Sequence, residues 1–320
     1  MTPSSSHVVL GGNGVVGRET IRALVGRGHA PVSVGRRPLS SASSVSSDET
    51  LSITADLLDP ADVASVMRGV HVAYLTVGLP YSSRIWAEQW PQILANTIAA
   101  ALENGTHLVY FDNVYAYGAV AGPMTETSPI HPSSRKGRVR AEALGALERA
   151  ADRGLAVTIV RSADFYGPGA TTSVFNGFAL DKIAAGRPGT WLFDADLPHS
   201  MTYTPDIGDA LAILGTDPRG RGRTWHVPTA PAITGHQYIE LAAGPGARTR
   251  VMSNAMMRMG ALFNGSARET LEMAYQYTAP YLFDSSAFEA TFGVTATPVA
   301  DGIAASLAAL ETEETRATSH

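Results

Sequence analysis

Apolar residues run without a break through Val8, Val9 and Leu10, stop at Gly11, and recur at helical spacing through Ile21, Leu24 and Val25. A buried strand followed by a helix is the simplest reading of that pattern. The same pair returns along the first half of the chain. Residues 30–34, 51–54, 70–77, 108–111 and 155–160 read as strands, and the nearly all-apolar run 70–77 suits a strand buried on both faces. Between them one helix ends near Gly26 or Gly28 and a second runs from Asp59-Pro60 to about Met67. A third fills most of 81–102 before Asn104-Gly105, and a fourth covers 138–153. Alternation of this kind predicts an α/β fold on a parallel, doubly wound sheet.

Beyond Arg161 the rhythm breaks into shorter elements richer in Gly, Pro, Met and aromatic residues. The expected organisation is a core domain over 1–169 that also takes segments near 200–220, a small C-terminal substrate lobe over 170–310, and a flexible tail over 311–320. Within the lobe, Met252, Met256, Met257 and Met259 are expected to be flexible core. Tyr275, Tyr277, Tyr281 and Phe283 alternate as packed strand residues do, and the serine-rich stretch 40–47 reads as loop.

Composition excludes several classes of function. Of 320 residues 45% are apolar and 17% charged, which gives ample material for a core. A net charge of −5 without a basic run argues against nucleic acid or an anionic membrane as partner. The absence of cysteine removes disulfides, a thiolate nucleophile and cysteine-ligated metal. The nine histidines are scattered and form no His-Glu-x-x-His pattern, so no metal site is expected, and no Gly-x-Ser-x-Gly elbow is present. The opening Met-Thr-Pro-Ser-Ser-Ser lacks a signal-peptide layout and no stretch is long enough to span a bilayer, so a cytoplasmic protein is expected.

The most specific local signal is Gly11-Gly12-Asn13-Gly14-Val15-Val16-Gly17, set between the first strand and the first helix. Gly11 allows a tight turn, Gly14 lets backbone N–H groups approach a pyrophosphate, and Gly17 lets the helix pack closely on the strand. The helix N-terminus adds partial positive charge. Gly12-x-Gly14-x-x-Gly17 fits the other common spacing equally well. After the second strand come Arg36 and Arg37 with no nearby carboxylate. An acidic residue there takes the 2′-hydroxyl of NAD, whereas arginine pairs with the 2′-phosphate of NADP, so NADP(H) is expected and NAD is the alternative. Asp56, just past the third strand, is placed to hold the adenine amino group.

Further motifs carry a resemblance. Asp56-Leu57 follows the third strand, Asn96 lies in the helix before the fifth, and Tyr110-Phe111-Asp112-Asn113-Val114-Tyr115-Ala116-Tyr117-Gly118 follows on the fifth. Arg161-Ser162-Ala163-Asp164-Phe165-Tyr166-Gly167-Pro168-Gly169 and Met201-Thr202-Tyr203-Thr204-Pro205-Asp206-Ile207-Gly208-Asp209-Ala210 come later. With the glycine turn, these segments resemble the extended short-chain dehydrogenase/reductase family, in its epimerase/dehydratase-like branch, over residues 7–310. The resemblance implies a Rossmann-type fold and a small-molecule substrate. It implies a cofactor held by Gly11, Asn13, Gly14, Val15, Val16, Gly17, Arg36, Arg37, Asp56, Leu57, Thr76, Val77, Arg138 and Ser162. It also implies a homodimer through the helices flanking the fourth and fifth strands.

The catalytic set departs from that family's pattern, which places Ser or Thr ahead of Tyr-x-x-x-Lys with Glu four residues after the lysine. Aligning on Glu142 puts Ser134 at the tyrosine, Arg138 at the lysine, Asn113 at the serine and Asp164 at the usual asparagine. Using Lys136 instead puts Pro132 at the tyrosine. A serine hydroxyl is too weak an acid to replace a phenol, and a permanently charged arginine cannot relay a proton. Asn113 still donates a hydrogen bond to a developing oxyanion, worth roughly 2.7–4 kcal/mol when preorganised.

Three readings follow. The leading one is an NADP-dependent reductase with a relocated proton donor, acting on a small, fairly apolar metabolite because the lobe is rich in aromatics and methionine. Tyr115 is the preferred donor. It lies two residues after Asn113, with Tyr117 four after, so both share its face if the chain stays extended. Tyr166, Asp112 and Asp164 are near the expected pocket. The second reading is a redox-neutral isomerase, dehydratase or cyclase with Asp164 or Asp112 as base. The third is a non-catalytic protein that senses NADP. The catalytic candidates are therefore Asn113, Tyr115, Arg138, Asp164 and Tyr166, while His199 is expected to be structural.

Overall fold

The computed structural model describes residues 6–38 and 50–318, so the serine-rich stretch 40–47 lies outside the described residues. Seven parallel strands form one sheet: β1 (His7–Leu10), β2 (Val32–Gly35), β3 (Leu51–Thr54), β4 (Val72–Leu75), β5 (His107–Asp112), β6 (Val157–Arg161) and a last strand, Thr224–His226. Their spatial order is Thr224–His226, β6, β5, β4, β1, β2, β3, and every pairing is parallel. The sheet is doubly wound and Rossmann-type, and its order reverses between β1 and β4. Ligands of such sheets bind beyond the strand C-termini at that reversal.

Local chemistry sets the crossover helices. α1 (Val15–Gly26) starts directly from the glycine turn. α2 (Pro60–Val66) has Asp59 as its cap, accepting from the Ala61 N–H, with Pro60 in the first turn. α3 (Ser83–Asn104) is capped by Ser82 and ends at Gly105, whose φ of +63° an L-residue adopts only with strain. α4 (Arg135–Ala151) begins three residues earlier than its spacing predicts, because the Ser134 hydroxyl accepts from the Gly137 N–H.

The chain divides into two compact units. The first contains the seven-stranded sheet and takes Met1–Gly118, Ile130–Arg161 and Ile207–Val227. β1 and β4 are wholly buried, and Trp90 and Tyr110 fill the layer between sheet and helices. The second takes Ala119–Pro129, Ser162–Asp206 and Pro228–His320 and is built from short strand pairs around Tyr166, Phe175, Trp191, Tyr238 and Tyr277. Asp164–Tyr166 pairs with Met201–Tyr203, and Thr190–Leu192 with Arg250–Met252, both parallel.

Three expectations for this second unit are corrected. Of the methionines in helix Asn254–Phe263 only Met257 is core, beside Ala261, while Met256 and Met259 are exposed, because the helix is apolar nearly all round and buries one face. Residues 275–283 form a short turn of helix and isolated bridges at Tyr281 and Phe283 in place of a strand, although Tyr277, Tyr281 and Phe283 are buried. The expected tail continues as helix Val299–Thr318, which Thr312 and Thr315 support by donating to the carbonyls of Ala308 and Glu311. Among the described residues no helix is long and apolar enough to cross a membrane.

Two histidines of the first unit predict how stability responds to acid. His7 bonds the Tyr74 hydroxyl at 3.1 Å and His107 bonds Thr158 Oγ1 at 2.9 Å. Burial lowers each from 6.5 to about 4. The unfolded chain therefore takes up protons that the folded chain refuses, so stability is full above pH 6.5 and is lost as pH falls toward 4. The melting temperature of His107→Gln is expected to fall less steeply across that window than that of the unsubstituted protein; parallel curves would refute the assignment.

Candidate functional site

In the first unit the glycine turn lies at the C-terminal end of β1. Gly11 has φ +93°, and a Cβ there would stand 2.8 Å from the backbone of Val77 at the end of β4. A Cβ on Gly17 would stand 2.3 Å from the Gly11 carbonyl oxygen, so only glycine lets α1 approach the turn this closely. Gly12 is less strictly constrained, since its Cβ would stand 2.2 Å from Ser33 Oγ, a side-chain atom that can rotate away. Gly14 caps α1 in an extended conformation with no side-chain acceptor and no acidic residue in the first turn. The N–H groups of Val15, Val16 and Gly17 therefore have no partner inside the helix. A concave glycine backbone with unused donors at the positive end of a helix fits the pyrophosphate of a dinucleotide.

The neighbouring loops are fastened to this turn. Asn13 Nδ2 donates to the carbonyls of Arg37 and Pro38, and the Thr76 hydroxyl donates to the Leu10 carbonyl at 3.1 Å. After β3, Asp56 accepts from the Leu58 N–H at 3.1 Å. α3 ties that loop down, with Asn96 Nδ2 donating to the Leu57 carbonyl at 3.0 Å and Gln92 Nε2 to the Leu58 carbonyl at 2.8 Å. Arg36 and Arg37 are exposed.

The segment after β5 separates residues that the extended-chain expectation kept together. Tyr115–Tyr117 is a turn of 3-10 helix, opened by Asn113 Oδ1 accepting from the Tyr115 N–H at 3.0 Å. Asn113 thus spends its carbonyl on the turn and keeps its Nδ2 as a donor. Tyr117 is 1% exposed, bonds His226 Nε2 at 2.8 Å and lies beneath the Arg161 guanidinium, so it does not share the face of Asn113. Tyr115 is half-buried, with its hydroxyl 3.4 Å from that of Tyr81.

Asp112 is also not available as a base. It is 1% exposed, with Arg140 Nε at 3.5 Å and Arg161 Nε at 3.7 Å. Burial pushes its carboxyl above the usual range while the two guanidiniums pull it back. Ser134 is buried as the cap of α4, and Arg138 stands exposed on that helix, whereas Lys136 and Arg140 are buried.

In the second unit Ser162 is buried, and Asp164 is partly exposed on the strand that follows. Asp164 Oδ2 accepts from the Tyr277 hydroxyl at 2.7 Å and lies 3.2 Å from His199 Nε2. His199 is stacked between Tyr277 at 4.6 Å and Tyr281 at 4.3 Å, so its ring is locked. The sequence did not pair His199 with Asp164; the link is the register that lays Met201–Tyr203 along Asp164–Tyr166. Tyr166 is corrected from a catalytic candidate to a core residue. It is 1% exposed, packs on Phe175 and Tyr203, and is pushed far above the ordinary phenol range by burial.

The NAD dependent epimerase/dehydratase family matches residues 7–222, two thirds of the chain. The chain belongs to that family. No curated protein matches it. Among solved structures it is similar to MoeE5 in complex with UDP-glucose and NAD, with 21% identity, TM-score 0.75, and coverage of 96% of this chain and 99% of that one. It is similar to a dTDP-glucose 4,6-dehydratase, DesIV from Streptomyces venezuelae, solved with NAD, at 19% identity and TM-score 0.76 over 95% of this chain and 96% of that one. A UDP-glucose 4-epimerase from Thermotoga maritima gives 16% identity and TM-score 0.75 over 96% and 98%.

These similarities overturn the expectation of an NADP-dependent reductase on an apolar metabolite. MoeE5 and DesIV carry NAD, and the relatives are named for nucleotide-sugar chemistry. Arg36 and Arg37 are exposed, and a guanidinium pairs with carboxylates and stacks on aromatic rings as readily as it binds a phosphate, so two arginines after β2 do not by themselves specify NADP.

Proposed function

We propose that this chain is an NAD-dependent, redox-neutral enzyme of the epimerase/dehydratase type acting on a nucleotide sugar. The observation that carries the proposal is the open glycine turn of α1, whose unused donors suit a dinucleotide, with Asn113 at the end of β5 on the same sheet edge. The UDP-glucose and UDP-glucuronic acid bound by MoeE5 support the substrate class. NAD, when bound, supplies a hydride acceptor for a sugar carbon and returns the hydride, so no net oxidation results. Gly14, Val15 and Val16 would hold its pyrophosphate, and the Asp56-Leu57 loop would meet its adenine. Asn113 Nδ2 donates to the sugar oxygen as that oxygen gains carbonyl character, worth about 3 kcal/mol.

In our reading Ser134 and Arg138 stand where the family carries its tyrosine and lysine. Ser134 is committed to capping α4, and Arg138 is charged at every working pH. Within the second unit the group suited to act as base is Asp164, whose Oδ2 is fixed by Tyr277 and His199. We assign it the role of base toward a carbon-bound proton, whose removal leads to elimination or inversion. The test is incubation with NAD and UDP-glucose, UDP-glucuronic acid or dTDP-glucose, followed by proton NMR. A new sugar nucleotide with NAD recovered unchanged is expected. Stoichiometric accumulation of NADH, or no conversion of any of the three, would overturn the proposal.

We also propose a homodimer through α3 and α4. Between them lies a groove of about 750 Å³ with an apolar floor that includes Leu94, Ile98 and Val139 and a rim carrying Glu142, Arg149 and Arg153. A two-fold interface buries the same patch on both copies, and an apolar floor with both signs of charge on its rim suits such a contact better than a rim of one sign. Light scattering is expected to give a dimer for the unsubstituted protein and a monomer for Ala95→Arg; a monomer for both would refute the interface.

A further inference from the structure

Lys136 is the third residue after the α4 cap's predecessor Ser133, and its side chain is wholly buried. Its Nζ stands 4.3 Å above the ring centroid of Tyr81 and donates to Ser83 Oγ at 3.3 Å. The Tyr81 hydroxyl lies 3.4 Å from the Tyr115 hydroxyl. Tyr115 stacks on Trp86 with centroids 6.1 Å apart, and the Arg140 guanidinium lies 4.7 Å from the same indole, close enough to act electrostatically on Tyr115. Gly137 keeps the cluster tight, since a Cβ there would stand 2.5 Å from the Tyr115 carbonyl oxygen. Three stretches far apart in sequence, at 81–83, 115 and 136–137, thus bring a lysine and two phenols together within the first unit. Burying an ammonium costs more than burying a methionine of similar length. Packing alone does not account for a lysine at 136.

We infer that Tyr115, Tyr81 and Lys136 form the proton-exchanging group of this enzyme, a tyrosine–lysine pair assembled from positions other than those the family aligns. This inference rests on the reading given under Proposed function. Tyr115 is the catalytic residue: the substrate O–H bond breaks, the proton joins the Tyr115 phenolate oxygen, and the reverse transfer restores both. Asn113, whose Oδ1 holds the Tyr115 N–H, donates to the same substrate oxygen. Tyr81, 45% exposed, passes the proton between Tyr115 and water. Lys136 is a positioning residue whose charge, with that of Arg140, stabilises the anion left on the phenol pair.

The test is ultraviolet difference titration of tyrosinate in the cofactor-free protein, with Tyr115→Phe, Tyr81→Phe, Lys136→Met and Lys136→Arg as variants. Of the eleven tyrosines, one is expected to ionise about one pH unit or more below the ordinary phenol value near 10. It should vanish in Tyr115→Phe, move upward in Lys136→Met and stay low in Lys136→Arg. If Lys136→Met does not fold, the exposed variant Tyr81→Phe serves instead, and the low phenol should move upward there too. A protein with no low phenol, or one whose low phenol ignores both Lys136→Met and Tyr81→Phe, overturns the inference. With a converted sugar nucleotide, Lys136→Met should lower kcat about 100-fold with little change in KM. A low phenol without sugar conversion refutes the substrate reading and leaves the pair standing; conversion without a low phenol does the reverse.

Discussion

Asp164→Asn is expected to lower kcat for the sugar nucleotide by about 10²–10⁴-fold, the usual contribution of a positioned acid or base, while leaving NAD affinity unchanged. The substitution keeps the shape of the side chain and one acceptor oxygen, so it changes proton transfer and little else. The support around Asp164 makes the test clean. Tyr277 donates to Oδ2 at 2.7 Å, and His199 cannot swing away because Tyr277 and Tyr281 clamp its ring and Tyr238 donates to its carbonyl at 3.0 Å. Tyr277→Phe removes one donor to the carboxylate and is expected to cost about tenfold, mostly in kcat. Steady-state kinetics alongside calorimetric titration with NAD decides the matter. Turnover of Asp164→Asn within about threefold of the unsubstituted enzyme would remove Asp164 from the chemistry.

The second large effect concerns stability. Asp112→Asn is expected to destabilise the protein by about 3–5 kcal/mol in urea, the loss found when one partner of a buried ion pair is removed. Total stability of such proteins is about 5–15 kcal/mol, so much of it disappears. Asp112 is the countercharge for Arg140 and Arg161, both buried. Arg140 is further enclosed by Trp90 at 4.0 Å and by the Tyr110 hydroxyl, which accepts from its Nη1 at 2.8 Å. Without the carboxylate two buried guanidiniums lose their shared countercharge. Combining Asp112→Asn with Arg140→Met removes one of the stranded charges, so the double variant is expected to be more stable than Asp112→Asn alone. A midpoint for Asp112→Asn within about 1 kcal/mol of the starting protein would show that the cluster is not held as an ion network.

What could be read in the sequence follows the range of the forces involved. The glycine turn, the Asp59-Pro60 helix start and the Asn104-Gly105 stop are local, and each appears where its spacing predicts. Asn96, matched by family resemblance alone, holds the Leu57 carbonyl. α4 starts earlier than its apolar spacing indicates because the Ser134 hydroxyl caps it, a local signal carried by one side chain and not by periodicity. Tyr115 and Tyr117 share a face with Asn113 only in an extended chain, and the Asn113 side chain opens a 3-10 turn there instead. The Lys136–Tyr81 and His199–Asp164 contacts each depend on tertiary packing between segments with no periodic relation. The NADP expectation failed for another reason, since charge at a strand end specifies a phosphate only where its geometry is fixed, and Arg36 and Arg37 are exposed.

The first unit is threaded discontinuously, and this sets an order of events at the ribosome. β6 is complete at Arg161, but its outer neighbour begins only at Thr224, after a long excursion through the second unit. At about 5–20 residues per second, translation leaves the free edge of β6 waiting for several seconds. Trp225, fully buried when its strand docks and bonded to the Gly220 carbonyl at 2.9 Å, closes that edge. A nascent chain stalled before Trp225 therefore presents an open template for pairing with other chains, and premature termination in this interval yields aggregation rather than a shorter working protein.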